Sequence, residues 1–345
     1  MHPSSLFDQW QWQPPASFGR ITAIEMHTGG EPLRVFTGGL PPLPGSSVLE
    51  KRAYFRQHFD HLRTGTMLEP RGHGDMYGAV LTPSADADFD VFFLHNEGYS
   101  TMCGHAIIAL TKLAIETGLV RKPTAQLEIN VPAGRIQARA ELHEGKVVSA
   151  AFRNVPSFVY LHDQTVHVPE LGEIRFDVAY GGAFYAIVDA GPLGLPLIPQ
   201  AATQLIDCGR RIKQTVASAF PIEHPFEPEL SFLYGTIFTG PAQQPDHHSR
   251  NVCIFADGEL DRSPTGSGVS ARAALHVARG ELALDESIAI ESILGSTMTV
   301  RAVERARFGP YEAVIPEVSG TAHITGRSEF YFDPADPFAA GFLVR

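Results

Sequence analysis

An α+β chain of two similar lobes is what this sequence predicts, on three observations. Each half carries the same series: a strand, a helical run that opens beside a glycine, then a meander of strands. The landmarks of the two series keep register: Cys103 precedes Gly104, Thr265 precedes Gly266, and each helical run stops at a glycine 15 residues further on, Gly118 and Gly280. The turn glycines Gly134 and Gly295 are 161 residues apart, against 162 for Cys103 and Thr265. A unit of about 160 residues present twice is a duplicated lobe, too long and too few for a solenoid.

Taken in order, residues 21–24 alternate and predict a first strand, which Gly29, Gly30 and Pro32 end. Residues 33–36 give a second strand. Residues 38–45 hold three prolines and three glycines and predict a loop. Charged and apolar residues at helical spacing predict a helix over 48–63. A glycine-rich stretch at 68–78 leads into a strand at 79–82, and the apolar run 91–94 into another. The helix over 107–116 reads as amphipathic. Strands follow at 126–131, 135–142 and 147–152, turned by Gly134 and Gly145. The second series opens near Ala179 with a strand at 183–188. A helix over 201–218, strands at 232–238 and 252–255, a helix over 269–279 and strands at 287–293 and 297–303 complete it.

Composition narrows the function. A hydrophobic content of 44% supports packed cores, and 19% charged residues is below the usual quarter, which excludes a disordered chain. The net charge is −11 with no Lys/Arg run, which argues against nucleic acid or an anionic membrane surface as partner. Three cysteines, Cys103, Cys208 and Cys253, make no disulfide framework and point to a reduced, cytoplasmic chain. Residues 1–17 are polar and Trp/Pro-containing, an arm rather than a signal. No apolar run approaches the roughly 18 residues of a membrane span.

Cys103 stands at a strand-to-helix junction. The positive end of the helix dipole and free backbone N–H groups lower a thiol pKa and favour thiolate; a lone cysteine is otherwise a core residue. Two equivalent helix N-termini facing one cleft would hold a carboxylate, between a thiol on one side and the Thr265 hydroxyl on the other. The glycines after both would let a ligand approach the backbone. Cys208 and Cys253 read as structural, and His247-His248 as a surface pair without metal-ligand spacing. Gly266-Ser267-Gly268 lacks the lysine of a phosphate loop.

Four segments carry a resemblance. Met102-Cys103-Gly104-His105, Asp261-Arg262-Ser263-Pro264-Thr265-Gly266-Ser267-Gly268, His27-Thr28-Gly29-Gly30-Glu31-Pro32 and Arg71-Gly72-His73-Gly74-Asp75-Met76-Tyr77-Gly78 resemble segments of the proline racemase family. The likeness runs from about Ile21 to the C-terminus. It implies a diaminopimelate-epimerase-like fold: two pseudo-repeat lobes, each a sheet wrapped around a central helix, with the active site in the cleft between them. The lobes would be residues 1–182, with 325–345 returning to them, and 183–324. It further implies a cytoplasmic homodimer that works on a small cyclic imino acid with no cofactor and no metal. The racemases use two cysteines, one on each face of the α-carbon. Here the second is Thr265, whose hydroxyl is a poor acid or base near neutral pH. The pattern is similar instead to the subgroup that dehydrates trans-3-hydroxy-L-proline to Δ1-pyrroline-2-carboxylate; the alternatives are a 4-hydroxyproline 2-epimerase or a proline racemase. Carried over, Cys103 is the base. Gly104, His105, Gly266 and Ser267 offer backbone N–H groups to the carboxylate, Asp261 and the His105 side chain face the ring nitrogen, and Tyr77 and Phe255 wall the ring. Thr265 either touches substrate or only caps its helix and fills space.

Overall fold

The computed structural model describes residues 12–344; most of the expected N-terminal arm lies outside them. In the first half β1 (Gly19–Thr28) and β2 (Glu31–Gly38) precede α1 (Val48–Met67), and β3 (Tyr77–Thr82), β4 (Phe89–His95) and β5 (Tyr99–Ser100) precede α2 (Gly104–Glu116). Then come β6 (Gln126–Val131), β7 (Gly134–His143), β8 (Lys146–Arg153) and β9 (Ser157–Val168). The second half repeats the series: β10 (Gly172–Tyr180), β11 (Phe184–Asp189), α3 (Ala202–Ala219), β12 (Leu233–Gly240), β13 (Ser249–Phe255), β14 (Glu259–Leu260), α4 (Gly266–Ala278), β15 (Ser287–Glu291), β16 (Thr297–Phe308), β17 (Tyr311–Gly320) and β18 (Ala322–Phe332).

Strand pairing reproduces the duplication step for step. β1–β2 is antiparallel, β2–β3 parallel, β3–β4 antiparallel, β4–β6 parallel, and β6–β7–β8 an antiparallel meander. β10–β11, β11–β12, β12–β13, β13–β15 and β15–β16–β17 repeat those senses in that order. The last strand of each series crosses over: β9 pairs with β10, and β18 with β1.

The helices sort by burial. α2 carries Ile107, Ile108, Leu110 and Leu113 in the core and is buried on nearly every side; an element that is apolar all round sits inside its sheet. The expectation of an amphipathic helix is corrected by this: only its last turn reaches water. α4 is its counterpart, with Val269, Ala271, Ala273 and Leu275 buried. α1 and α3 lie outside. α1 starts on a capping box, Ser47 with Glu50, and α3 buries one stripe, Leu205, Cys208, Ile212 and Val216.

β9 and β10 pack on α4, not α2. They precede the boundary expected at residue 182, so the second helix gathers more of the chain than the sequence alone suggested. Both strands, and β17, went unread in the sequence.

Candidate active site

α2 and α4 meet end to end. A Cβ on Gly104 would lie 2.5 Å from the Gly266 Cα, and one on Gly266 would lie 2.6 Å from the Gly104 Cα. The two glycines therefore serve the contact of the helices with each other, where a ligand's approach had been expected to require them. First-turn N–H groups lack intrahelical acceptors, and here two such sets open on one space.

That space is small and tightly walled. Its walls bring together Cys103, Gly104, His105, Asp261, Thr265, Gly266, Ser267, Tyr77 and Phe255, all nine residues singled out in the sequence. Met102, Tyr185, Tyr234 and Cys253 line it as well. Cys253, read from sequence as structural, is thus a wall residue. Tyr234 was findable: Tyr77-Gly78 opens β3 and Tyr234-Gly235 recurs in β12, the equivalent strand. Tyr185 and Cys253 sit in apolar strands with no such mark.

Cys103 occupies the N-cap of α2 in extended conformation. Its thiol is pushed well above its ordinary value, first by burial; the Ala106 N–H pulls it down, the Asp261 charge raises it, and the Tyr77 hydroxyl lowers it. The helix terminus acts in the expected direction, but loss of water outweighs it in the closed cleft. His105 Nδ1 lies 3.2 Å from the Cys103 sulfur. Burial lowers His105 to about 3, against a smaller pull from the Pro32 carbonyl, so it is a neutral imidazole at physiological pH.

Thr265 caps α4 by position but not by chemistry. Its φ is +67°, and its side chain makes no capping bond. A β-branched residue held at positive φ is a strained one, of the kind that recurs at functional sites. Capping is therefore not its role.

Asp261 is buried and accepts from the Ser263 N–H at 2.7 Å. Burial raises its pKa, against hydrogen bonds from Ser263 and Thr265. Glu31 lies behind it and is pushed well up, first by burial and then by Asp261; two carboxylates this close do not ionise together easily. Phe255 stacks on Tyr234 (5.4 Å, 24°) and meets Tyr77 edge-on (6.1 Å, 64°). Tyr185 bonds Ser267 Oγ at 2.7 Å.

Contacts across the cleft keep it closed. Arg262 pairs with Asp75 at 2.6 Å and its N–H bonds Glu31 at 2.7 Å. His95 pairs with Glu259 at 2.9 Å, both buried. His162, Asp163 and Asp177 form a surface group with donor atoms close enough for a cation, but Arg175 and Arg279 already pair with its carboxylates. No helix among the described residues is long and apolar enough to cross a membrane.

Two lobes, each a sheet around a buried helix, with a thiol where the helix ends meet, define a two-lobed enzyme fold of the diaminopimelate-epimerase-like kind. A crystal structure of a hydroxyproline epimerase from Agrobacterium vitis, with bound trans-4-hydroxy-L-proline, superposes with a TM-score of 0.89 at 31% identity, over 94% of this chain and 95% of that one. The chain belongs to the proline racemase family, whose model matches residues 23–343. Among curated relatives, a trans-3-hydroxy-L-proline dehydratase from Colwellia psychrerythraea is 52% identical over 97% of this chain and 96% of its own length. A 3-hydroxyproline 2-epimerase from Burkholderia multivorans is 44% identical over 94% and 98%.

Proposed function

We propose that this chain dehydrates trans-3-hydroxy-L-proline to Δ1-pyrroline-2-carboxylate, with Cys103 as the base. The observation that carries this reading is the unlike pair that lines one pocket at the meeting of the two helix starts, the Cys103 thiol from α2 and the Thr265 alcohol from α4. A relative 52% identical bears the dehydratase name and supports the substrate.

The N–H groups of Gly104, His105, Gly266 and Ser267 hold the carboxylate at the joined helix ends. Asp261 takes the cationic ring nitrogen, which supplies the charge that a buried carboxylate lacks when alone. The neutral His105 accepts from the same nitrogen. The ring lies between Tyr77 and Phe255. Cys103, as thiolate, removes the α-hydrogen. In the trans isomer the 3-hydroxyl shares a face with that hydrogen, so the C3–O bond breaks on the Cys103 side. The enamine then tautomerises to the cyclic imine without a second-face acid. The reaction is redox-neutral. A cytoplasmic homodimer belongs to the same reading; the three free cysteines suit a reducing compartment.

The test is incubation with trans-3-hydroxy-L-proline, trans-4-hydroxy-L-proline and L-proline, reading imine by NMR and configuration by chiral chromatography. Imine from the first and no inversion of the other two is the expected outcome. The relative named 3-hydroxyproline 2-epimerase supports a second reading, epimerisation. Inversion at Cα without imine would establish it and overturn the first. A Cys103→Ser variant that still dehydrates at near the parent rate would remove the thiol from its role.

A further inference from the structure

The elimination needs a proton on the departing oxygen, and the pocket holds a group suited to give it. Tyr77 enters from the first position of β3 and is 3% exposed. Its ring is fixed on three sides. It stacks on His95 (5.9 Å, 27°) and meets His105 (4.9 Å, 73°) and Phe255 edge-on. Its hydroxyl makes a short contact to Ser100 Oγ, from the strand just before Cys103, and lies 3.5 Å from the Tyr234 hydroxyl. The His105 ring that Tyr77 meets puts its Nδ1 3.2 Å from the Cys103 sulfur, and the Tyr77 hydroxyl pulls that thiol's pKa down. Phenol and thiol line the same pocket and share His105 as a neighbour, and in the dehydratase reading the 3-hydroxyl lies on the thiol's face with the α-hydrogen. His105, neutral, offers no imidazolium proton there.

We propose that Tyr77 donates the proton that turns the departing 3-hydroxyl into water, with Ser100 and Tyr234 as positioning residues for its phenol. This rests on the dehydratase reading. In the step, the Cα–H electron pair becomes the C2–C3 double bond as the proton passes to the Cys103 sulfur. The C3–O bond breaks, and the oxygen keeps that pair and takes the Tyr77 proton. The thiol proton then moves to the phenolate, which restores thiolate and phenol. No electrons enter or leave, and the α-proton is in effect carried to water. Burial keeps Tyr77 protonated until then, since its pKa is driven well above the ordinary phenol value.

The test compares two leaving groups. Chloride departs without a proton, so trans-3-chloro-L-proline removes the need for the acid while keeping ring and base. With Tyr77→Phe, turnover of trans-3-hydroxy-L-proline is expected to fall about 100-fold or more, with KM little changed, while chloride elimination stays within about 10-fold of the parent by the same criterion. Ser100→Ala, which removes no ring, should show the same selective loss in smaller measure. Equal losses on both substrates would make Tyr77 a packing residue and overturn the proposal. Full dehydration by Tyr77→Phe would overturn it too, leaving Cys103 to return its own proton. If the parent protein forms no imine from trans-3-hydroxy-L-proline, the dehydratase reading itself falls, a failure told apart because it precedes any substitution.

Discussion

Gly104→Ala tests the meeting of the helices directly. The new Cβ would stand 2.5 Å from the Gly266 Cα and 2.9 Å from its carbonyl carbon, and contacts under 3.0 Å essentially never occur. The obstacle is backbone, which cannot rotate away, so the helix ends must part by at least about 0.5 Å to reach 3.0 Å. Overpacking of this kind costs about 1–3 kcal/mol. Alanine's better helix propensity returns up to about 1 kcal/mol, so with that return in full the net loss is at most about 2 kcal/mol. The N–H groups at both termini shift with the backbone, and misplacement on this scale should cost at least about 10-fold in kcat/KM. Urea unfolding midpoints and steady-state turnover read the two effects. Gly326→Ala is the control: its Cβ would meet nothing within 4 Å, and it should be neutral or up to about 1 kcal/mol stabilising. If Gly104→Ala unfolds at the parent midpoint with parent activity, the helices do not meet in this way.

Two further predictions concern ionisation. Glu291 accepts the N–H groups of Gln243 and Gln244 and is bonded by His247 and Arg250. Burial alone would raise it, but these bonds win and hold it at about 2, down from 4.5. Its stabilisation, about 3 kcal/mol by linkage, is complete above pH about 4.5 and drains away as pH falls toward 2. Glu291→Gln should lose about that much at pH 7 in urea titrations and show a flatter acid limb. For Cys103, the raised thiol of the closed cleft predicts slow alkylation by iodoacetamide at pH 7, accelerating with pH beyond the ordinary thiol range. A plateau near pH 7 would show the thiolate already formed.

The site was legible because its residues stand in contiguous motifs at helix starts, where a few positions determine the chemistry. The repeat was legible because glycine stops punctuate both halves. What escaped the sequence has physical causes. β9 interrupts its alternation with His162, Asp163 and Gln164, and much of it faces solvent. β17 contains Pro316, which removes a ladder donor and argues against a strand. The state of the Cys103 thiol could not be read from the helix start alone, because the opposing desolvation comes from the second lobe closing over it. The burial of α2 on all sides likewise depends on strands far away in sequence.

The crossing of the last strands has a consequence for how such a chain can exist at all. β9 leaves the first series to finish the sheet of the second, and β18 leaves the second to finish the first. Split between β9 and β10, each half-gene product would present an open sheet edge where the other's strand belongs, β1 without β18 and β10 without β9, and such an edge invites pairing with another chain. The chain is thus put together like two strand-exchanging units joined end to end, one with a thiol at its helix start and the other with an alcohol.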